Sequence, residues 1–340
     1  MKISRYIIAV VFFSCNLVSF KQKALPKLNA IKISGYAQGT TYHITYYAED
    51  SIVTKKQVDS ILDKIDSSLS IYKPYSLINK FNDANSSIEM DQHLRVVVNR
   101  SLEIYHATEG IADITVNPLM SLWGFGPQKS LAQPDSAAVL RVMHCIGSDK
   151  IRIQKNRLVK NTPCVSIDVN GIAQGYSVDV LASFLSQAGV QNYIVELGGE
   201  LRINGRKFPS GSMMRIGIEA PARNGLDEPE VETIVELDKG AITTSGNYRK
   251  YHAMNGKKIS HLMNPKTGYP FQNELISVTV WANDAITADG YDNALMGIGL
   301  KKALEFLQRY TGMEAYFIYH NSKGIVSDTA TAGFYKMIVN

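Results

Sequence analysis

The stretch YIVELGGELRI, residues 193–203, predicts two β-strands joined by a turn at Gly198-Gly199. Diglycine suits a turn between paired strands because glycine adopts left-handed backbone conformations without steric cost. No helical period follows, and the predicted strands of this region are Tyr193–Leu197, Leu201–Ile203, Arg215–Glu219, Thr233–Leu237 and Gly240–Thr244. Strands that follow one another without crossover helices favour antiparallel pairing, so the region argues against a regular βαβ fold.

Helices and further strands surround this region in an irregular order. Apolar residues at helical spacing predict helices at Thr54–Leu69, His93–Thr108, Ser136–Met143, Tyr176–Ala188, Ala285–Gly297 and Lys301–Arg309. Short apolar and alternating runs predict strands at Ile31–Ala37, Thr41–Tyr47, Ile151–Ile153, Leu158–Val159, Val165–Val169, Ser277–Trp281, Ala315–Tyr319 and Phe334–Val339. No linker-like composition interrupts the middle of the chain. The expected fold class is α+β, a single compact domain with mixed or antiparallel sheets and flanking helices.

The N-terminus has the pattern of an export signal. Lys2 and Arg5 precede the apolar run Tyr6–Phe13, which is too short to span a membrane, and Ser14-Cys15 follows. A cysteine after a small residue predicts a lipoprotein: residues 1–14 as signal peptide, Cys15 as the acylated residue, and residues 15–30 as a lipid-anchored tether. The alternatives are a plain signal peptide and an uncleaved anchor. The expected location is outside the cytoplasm, lipid-anchored to a membrane and facing the periplasm.

Charge argues against one class of partner. The 340 residues carry a net charge of +5, and the Lys and Arg residues occur at most as pairs such as Lys55-Lys56. Nucleic-acid-binding proteins concentrate basic residues in a patch or stripe. No nucleic-acid partner is therefore expected.

The sequence leaves the state of two cysteines open. Cys145 and Cys164 lack the close spacing of a typical zinc site. An oxidising compartment would permit a disulfide between them. Two buried apolar thiols are an equally good interpretation.

An acidic cluster near the C-terminus is the sharpest local feature. In TADGYDN, residues 287–293, Asp289, Asp292 and Asn293 are spaced i, i+3 and i+4, so they share one helical face. Neighbouring carboxylates repel each other unless a positive charge lies among them, and oxygen ligands suit a hard ion such as Mg²⁺. The alternative is that Asp289 caps the helix and the other acids are solvated.

Glycine turns supply candidate phosphate sites. Gly171–Gly175 lies between a predicted strand and a predicted helix, where backbone amides could approach a phosphate, although a purely structural turn is the commoner meaning. It matches neither the P-loop nor the dinucleotide fingerprint. The Gly198-Gly199 turn and Ser245, at a strand end, are further candidates. His261 could act as a base, although a lone histidine in a strand is more often structural.

Taken together, the motifs resemble the ApbE family of FAD:protein FMN transferases. The matching segments span residues 39–293 and run in family order: Gly39–Tyr42; Ser70–Tyr72 with Ser76 and Phe81-Asn82; Ala112–Leu119 continuing to Leu122–Gly126; Ile167-Asp168 through Gly171–Tyr176; Leu197–Gly199; Ser245–Tyr248; Ser260-His261 through Pro265–Pro270; and Ala288-Asp289 to Asn293. Eight ordered blocks make chance agreement very small.

The resemblance implies a specific fold and reaction. It implies an ApbE-like, T-fold-like flavin transferase domain over residues 31–340. Enzymes of this family bind FAD and Mg²⁺, split the pyrophosphate, release AMP and join FMN through a phosphoester to a threonine. The acceptor carries an Asp-Gly-x-Thr-like motif and is a membrane redox-complex subunit or a related flavoprotein.

The resemblance also implies the site residues. The metal ligands would be the Gly171 carbonyl, Asp289 and Asn293, with Asp292 beside them; family members often have threonine at the place of Asn293 and Lys or Glu at that of Gln174. The implied FAD contacts are Gln38, Tyr72, Ala112, Asp113, Ile114, Asp168, Gln174 and Leu262, with Gly198, Gly199 and Ser245 lining the pocket. His261 would help to deprotonate the acceptor threonine.

Three other functions fit parts of the pattern. A FAD pyrophosphatase would use the same residues with water as acceptor. A non-enzymatic flavin-binding lipoprotein would bind FAD without releasing AMP. A structural lipoprotein would bind no flavin. The complete set of metal and phosphate motifs favours the transferase.

Overall fold

The computed structural model of the protein describes residues 27–127, 133–220, 231–248, 251–254 and 257–339. The predicted signal peptide, Cys15 and the predicted tether up to residue 26 lie outside the described residues. Among the helices that the described residues form, none has both the length and the apolarity needed to cross a membrane.

Helices and strands alternate irregularly along the chain, as predicted. The α-helices of the described residues are α1 (Lys55–Leu69), α2 (Leu77–Asp83), α3 (Gln92–Ala107), α4 (Asn117–Leu122), α5 (Ser136–Met143), α6 (Asn170–Gln187), α7 (Ala285–Ile298), α8 (Leu300–Arg309) and α9 (Ala332–Tyr335). The strands are β1 (Asn29–Ala37), β2 (Thr40–Ala48), β3 (Ser87–Glu89), β4 (Ile151–Gln154), β5 (Arg157–Lys160), β6 (Tyr193–Leu197), β7 (Glu200–Asn204), β8 (Met214–Glu219), β9 (Val231–Leu237), β10 (Lys239–Gly246), β11 (Tyr251–Met254), β12 (Lys257–Ser260), β13 (Leu275–Ala282), β14 (Met313–His320), β15 (Val326–Ala330) and β16 (Ile338–Val339).

One large antiparallel sheet forms the centre of the domain. Its strand order is β1-β2-β6-β7-β10-β13-β14-β15. The β6–β7 hairpin closes at Gly198-Gly199, whose φ angles are 65° and 108°, and Leu197 lies opposite Glu200. The predicted diglycine turn and the antiparallel α+β class are confirmed. Smaller sheets have the orders β16-β9-β8 and β3-β5-β4, and β11 pairs with β12.

Both faces of the large sheet are covered by other elements. Because successive side chains on a strand point to opposite faces, neighbouring residues pack in different clusters. On β10, Ala241 packs in a cluster with Leu181 of α6 and lies under the helices. Its neighbour Ile242 packs in a different cluster with Ile216 and Val235 of the small β8–β9–β16 sheet. The helices α6 and α7 therefore cover one face, and the small sheet covers the other.

The sequence predicted that Gly171–Gly175 is a turn before a helix. This is wrong, because the segment lies inside α6. The helix begins at Asn170 and kinks at Gly171, where φ is −84° and ψ is 16°. A side chain at Gly175 would meet the Ala285 carbonyl oxygen and would lie 2.6 Å from Asp289 Cβ. The glycine is needed for close packing of α6 on α7, and this explains a glycine inside a helix.

The predicted strand Val165–Val169 is also wrong, because this segment pairs with no strand among the described residues. Its backbone groups bond to side chains instead. The Asn82 amide accepts from Ile167 N at 2.7 Å and donates to Ile167 O at 2.9 Å, and Lys160 Nζ donates to Val165 O at 2.8 Å. Buried backbone groups need partners, and side chains can supply them as well as a ladder does.

The predicted C-terminal strand Phe334–Val339 is partly wrong. Residues Ala332–Tyr335 form α9, and only Ile338–Val339 pair, with β9. Phe334 is fully buried and stacks on Tyr316 with ring centroids 5.8 Å apart. A short apolar run can pack against the core as a helix or as a strand, so the composition of this segment did not distinguish a helix from a strand.

Gly175→Ala is expected to destabilise the protein by about 1–3 kcal/mol, because the added methyl group forces α6 away from α7. Helix propensity alone would favour alanine by about 1 kcal/mol, so any loss reports the clash. Urea unfolding measures the change. Ser183→Ala, at an exposed position of α6, is the control and should stay within about 0.5 kcal/mol of the wild type. Equal stability of the two variants would contradict the close contact.

Candidate functional site

A cavity of about 390 Å³ opens where β2, β7 and β10 meet the first turns of α6 and the middle of α7. Almost all of the predicted site residues line it; only Tyr72 and Gly199 do not. Those that line it are Gln38, Ala112, Asp113, Ile114, Asp168, Gly171, Gln174, Gly198, Ser245, His261, Leu262, Asp289, Asp292 and Asn293. The structure thus brings together residues that are far apart in the sequence.

The acidic cluster lies in the body of α7, not at its start. The N-cap is Asp284, whose carboxylate accepts from Thr287 N at 3.0 Å. Asp289 and Asp292 are 4% and 1% exposed. The alternative interpretation, with Asp289 as helix cap and the other acids solvated, is therefore wrong.

Contacts across the α6–α7 interface join the predicted metal residues. Asp289 Oδ2 accepts from Gly175 N at 2.8 Å. The Asn293 amide nitrogen lies 3.4 Å from Gly171 O, and its oxygen accepts from Ser245 Oγ at 2.9 Å. The Asp289 carboxylate, the Asn293 amide and the Gly171 carbonyl therefore lie at the α6–α7 interface, next to the Ser245 hydroxyl of β10.

Asp292 lies in a strongly unfavourable environment for a charged group. Complete burial raises the pKa of Asp292 well above its usual range, and the neighbouring Asp289 carboxylate raises it further. Asp292 Oδ1 is buried and accepts no hydrogen bond within the described part of the chain. Hydrogen bonds from Thr243 and from the Asn293 backbone offset part of this rise in pKa. A buried charged carboxylate with one oxygen left without a partner is still costly unless a positive charge compensates it. The donor set fits a hard cation such as Mg²⁺.

A partly buried aspartate holds α7 against α6. Asp179, on α6, accepts from Ala285 N at 3.0 Å and from Ile286 N at 2.8 Å, the first two amides of α7. Arg202 of β7 lies 3.2 Å from its carboxylate. Because Asp289 lies one turn further along α7, these bonds fix its position relative to Gly171.

The carboxylate of Asp113 is turned inward and serves the protein itself. Its Oδ1 accepts from Thr115 N at 2.8 Å, Thr115 Oγ1 at 2.6 Å and Ser148 Oγ at 2.7 Å, and its Oδ2 accepts from Ser148 N at 3.1 Å. Gly147 N donates to Thr115 Oγ1 at 2.7 Å. Asp113 thus ties the 3₁₀ turn Ile114–Val116 to the segment after Cys145.

Two glutamines form the wall next to the β1–β2 and β6–β7 turns. Gln38 has φ of 52°, and its amide nitrogen donates to Ser177 Oγ of α6 at 2.9 Å. A side chain at Gly198 would lie 2.9 Å from Gln174 Nε2, so this glycine lets Gln174 approach the turn. Gly199 N donates to Glu196 Oε1 at 2.8 Å, outside the cavity.

Tyr72 lies at the rim and is 58% exposed. Partial burial, followed by the negative charge of Asp168, raises the pKa of the Tyr72 hydroxyl. Asp168 Oδ1 accepts from Asn170 N at 2.8 Å, which forms a tight turn just before Gly171. Tyr72 is therefore close to the α6 start without lining the cavity.

His261 directly follows β12. The prediction that it lies in a strand is therefore wrong. Its loop rests on the α4–α5 region: Trp123 Nε1 donates to Gly268 O at 2.9 Å, and the Phe125 and His261 rings are 6.3 Å apart. Leu262 O accepts from Phe271 N at 2.9 Å and closes the loop. His261 thus lines the cavity from a loop that packs against the α4–α5 region.

Glu200 is a cavity residue that the sequence analysis missed. It is 8% exposed and lines the cavity from the first position of β7. Its negative charge also raises the pKa of Asp292. The signal was visible, since Glu200 directly follows Leu197-Gly198-Gly199, but only the strand pairing places it beside α7.

Cys145 and Cys164 form a disulfide, with Cα atoms 5.5 Å apart. Of the two interpretations that the sequence left open, the disulfide is the one that the structure shows. The disulfide lies next to the segment that ends in Ser148, which bonds to Asp113. Closing a loop of this length contributes about 3 kcal/mol to stability in the chain-entropy description.

Comparison with known proteins finds close likenesses over nearly the whole chain. The ApbE family model matches residues 38–317. A Haemophilus influenzae protein named FAD:protein FMN transferase is 36% identical over 315 residues, which is 89% of this chain and 90% of the relative. The structure of the flavin transferase ApbE from Vibrio cholerae has 31% identity and a TM-score of 0.82, covering 91% of this chain and 99% of its own. That of the Pseudomonas stutzeri flavinyl transferase ApbE in apo form has 34% identity and a TM-score of 0.81, covering 91% and 97%.

The fold and the lined cavity define the class as that of the flavin transferases, whose solved structures superpose along nearly all of the chain. The chain belongs to the ApbE family. The resemblance seen in the ordered motifs is therefore confirmed.

Proposed function

We propose that the protein transfers FMN from FAD to a threonine hydroxyl of an acceptor protein, forms a phosphoester and releases AMP, with Mg²⁺ at the α6–α7 interface. The closeness of Gly171, Asp289 and Asn293 to the buried Asp292, whose Oδ1 accepts no hydrogen bond from the described residues, is the observation that carries this proposal. The names of the family's curated relatives support the flavin part of it.

The residues present fit a Mg²⁺ ion in their chemistry. Gly171 O, Asp289 and Asn293 would hold it, with Asp292 beside them, and all four supply oxygen. When bound, the ion would neutralise charge on the pyrophosphate. Asn293 in place of the family's common threonine would supply its amide oxygen, which in the structure accepts from Ser245 Oγ while the amide nitrogen faces Gly171 O.

The chain's own groups would bind and orient FAD in the same cavity. The lining of this cavity includes Gln38, Gln174, Asp168, Ile114 and Leu262. Tyr72, at the rim, offers an exposed aromatic face on which a ring of FAD can stack. Such positioning supplies much of the rate of phosphoryl-type transfer, which needs little covalent help from the protein.

His261 would accept the proton of the acceptor hydroxyl. It lines the same cavity as the acidic residues of α7, on a loop fixed by Trp123. A base at this place raises the nucleophilicity of a threonine oxygen, whose own pKa is far above neutral.

The test is incubation of the protein with FAD, Mg²⁺ and an acceptor carrying an Asp-Gly-x-Thr motif. Mass spectrometry is expected to show one FMN added at the threonine, with one AMP released for each FMN joined. The matched control is the acceptor with its threonine changed to alanine. AMP release together with free FMN in equal yield from both acceptors would show a pyrophosphatase, and tight FAD binding without AMP would show a binding protein.

We also propose that the protein works outside the cytoplasm, anchored to a membrane through lipid on Cys15. The disulfide supports an oxidising compartment, and the N-terminal basic and apolar pattern supports export. A membrane acceptor, such as a redox-complex subunit, would then lie within reach of the anchored enzyme. Radiolabelled palmitate incorporation that is lost in Cys15→Ser would support the anchor.

A further inference from the structure

We propose that the Cys145–Cys164 disulfide is a positioning element of the flavin site, so that its reduction weakens FAD binding. The inference rests on the proposed placement of FAD in the cavity. The disulfide does not line that cavity. It joins two backbone segments, and each of them continues within a few residues into a wall of the cavity.

The first segment runs from Cys145 to Ser148. Cys145 is 5% exposed, and Ser148 is 1% exposed. Ser148 donates to the Asp113 carboxylate through both its backbone nitrogen and its hydroxyl, at 3.1 and 2.7 Å. Gly147, with φ of 129°, donates to Thr115. The segment therefore sets the position of Asp113 and of the turn that follows it.

The second segment runs from Cys164 to Asp168. It pairs with no strand in the part of the chain that the structure describes. Scattered bonds fix it instead, among them Asn117 Nδ2 to Ser166 Oγ at 3.0 Å and Asp168 N to Ile114 O at 2.8 Å. Asp168 lines the cavity, and α6 with Gly171 follows two residues later. A segment without a strand ladder moves more easily, so a covalent link at its start has more effect.

The two segments also meet each other at the cavity, through the bond from Asp168 N to Ile114 O. The disulfide thus completes a closed frame. The chain runs from Cys145 to Ser148, which bonds to Asp113, and Ile114 next to Asp113 bonds to Asp168, from which the chain runs back to Cys164. Opening the S–S bond leaves hydrogen bonds alone to hold this frame. The walls that carry Asp113 and Asp168 can then separate, and the cavity loses its fit to FAD.

The bond is placed where a small reductant can reach it. Cys164 is exposed, and the exposed His144 lies with Nε2 3.5 Å from Cys145 Sγ and 3.4 Å from Cys164 Sγ. In the reaction, a dithiol supplies two electrons and two protons. The S–S bond breaks to give two cysteine thiols, and the dithiol becomes its own cyclic disulfide.

The experiment measures the FAD dissociation constant of the full protein before and after reduction with dithiothreitol. Thiol titration must show two new thiols for each chain. We expect reduced protein to bind FAD about 10-fold more weakly, within the range usual for coupling between two sites. The variant Cys145→Ser/Cys164→Ser should bind FAD as weakly as reduced protein and should not respond to dithiothreitol. At saturating FAD the transfer rate should stay close to that of the oxidised protein.

A reciprocal measurement on the wild type avoids any folding defect of the variant. Half of the disulfides open at a certain ratio of reduced to oxidised dithiothreitol. Because coupling is mutual, saturating FAD should raise this ratio by the same factor by which reduction weakens FAD binding. Equal FAD affinity in oxidised and reduced protein, with no FAD effect on reduction, would overturn the inference and leave a stabilising bond only. Oxidised protein that binds no FAD would instead overturn the proposed function, and the inference with it.

Discussion

Asp289→Asn is expected to lower the rate of Mg²⁺-dependent FMN transfer by about 1,000-fold or more, because metal neutralisation contributes several kcal/mol and each tenfold in rate corresponds to 1.36 kcal/mol. The substitution keeps the size of the side chain and an oxygen that can accept from Gly175 N. It removes the negative charge that a hard cation prefers. The measurement is covalent FMN on the acceptor as a function of time and of Mg²⁺ concentration.

The matched control for Asp289 is Asp63→Asn, which removes a carboxylate from an exposed position of α1. That variant should transfer FMN at the wild-type rate. The unfolding midpoint of Asp289→Asn should not fall, since one of two mutually repelling buried carboxylates is neutralised. A variant that keeps full activity and the wild-type Mg²⁺ dependence would refute the metal assignment.

His261→Gln is expected to reduce the transfer rate by about 100- to 10,000-fold, the usual contribution of a general base. Glutamine is similar in length and keeps polar atoms in the cavity, but it cannot accept the proton of the acceptor hydroxyl. FAD affinity should change little, because the histidine acts on the acceptor. The rate at saturating FAD and the dissociation constant of FAD are measured separately.

The pH profile gives the second readout for His261. The wild-type rate should fall at acid pH as a base becomes protonated, and this limb should be missing in His261→Gln. His106→Gln, an exposed position of α3 outside the cavity, is the control and should leave both rate and profile unchanged. An acid limb that persists in His261→Gln would assign the proton transfer to another group.

Much of the local structure followed from the sequence, because helical and strand periods depend on neighbouring residues. Thr54 was predicted at the start of α1, and its side chain forms a capping box with Gln57. The helix α5 begins and ends at the predicted residues Ser136 and Met143. Errors occurred where a segment takes its partners from afar. Val165–Val169 has the composition of a strand, but Asn82 and Lys160 supply its hydrogen bonds.

The sequence by itself determined the family and predicted many of the residues that line the cavity, since the ordered motifs around Asp113, Gly171, His261 and Asp289 point to both. Only the tertiary structure decided what these residues do to one another. It showed that Asp289 lies inside α7, that the Asp113 carboxylate is turned inward, and that Glu200 lies near Asp292. The physical reason is that motifs are local in the chain, whereas burial, charge interaction and disulfide pairing arise between segments that folding brings together. The diglycine turn of the opening stretch illustrates both: its backbone conformation is a local property, but its place beside Gln174 depends on the packing of α6.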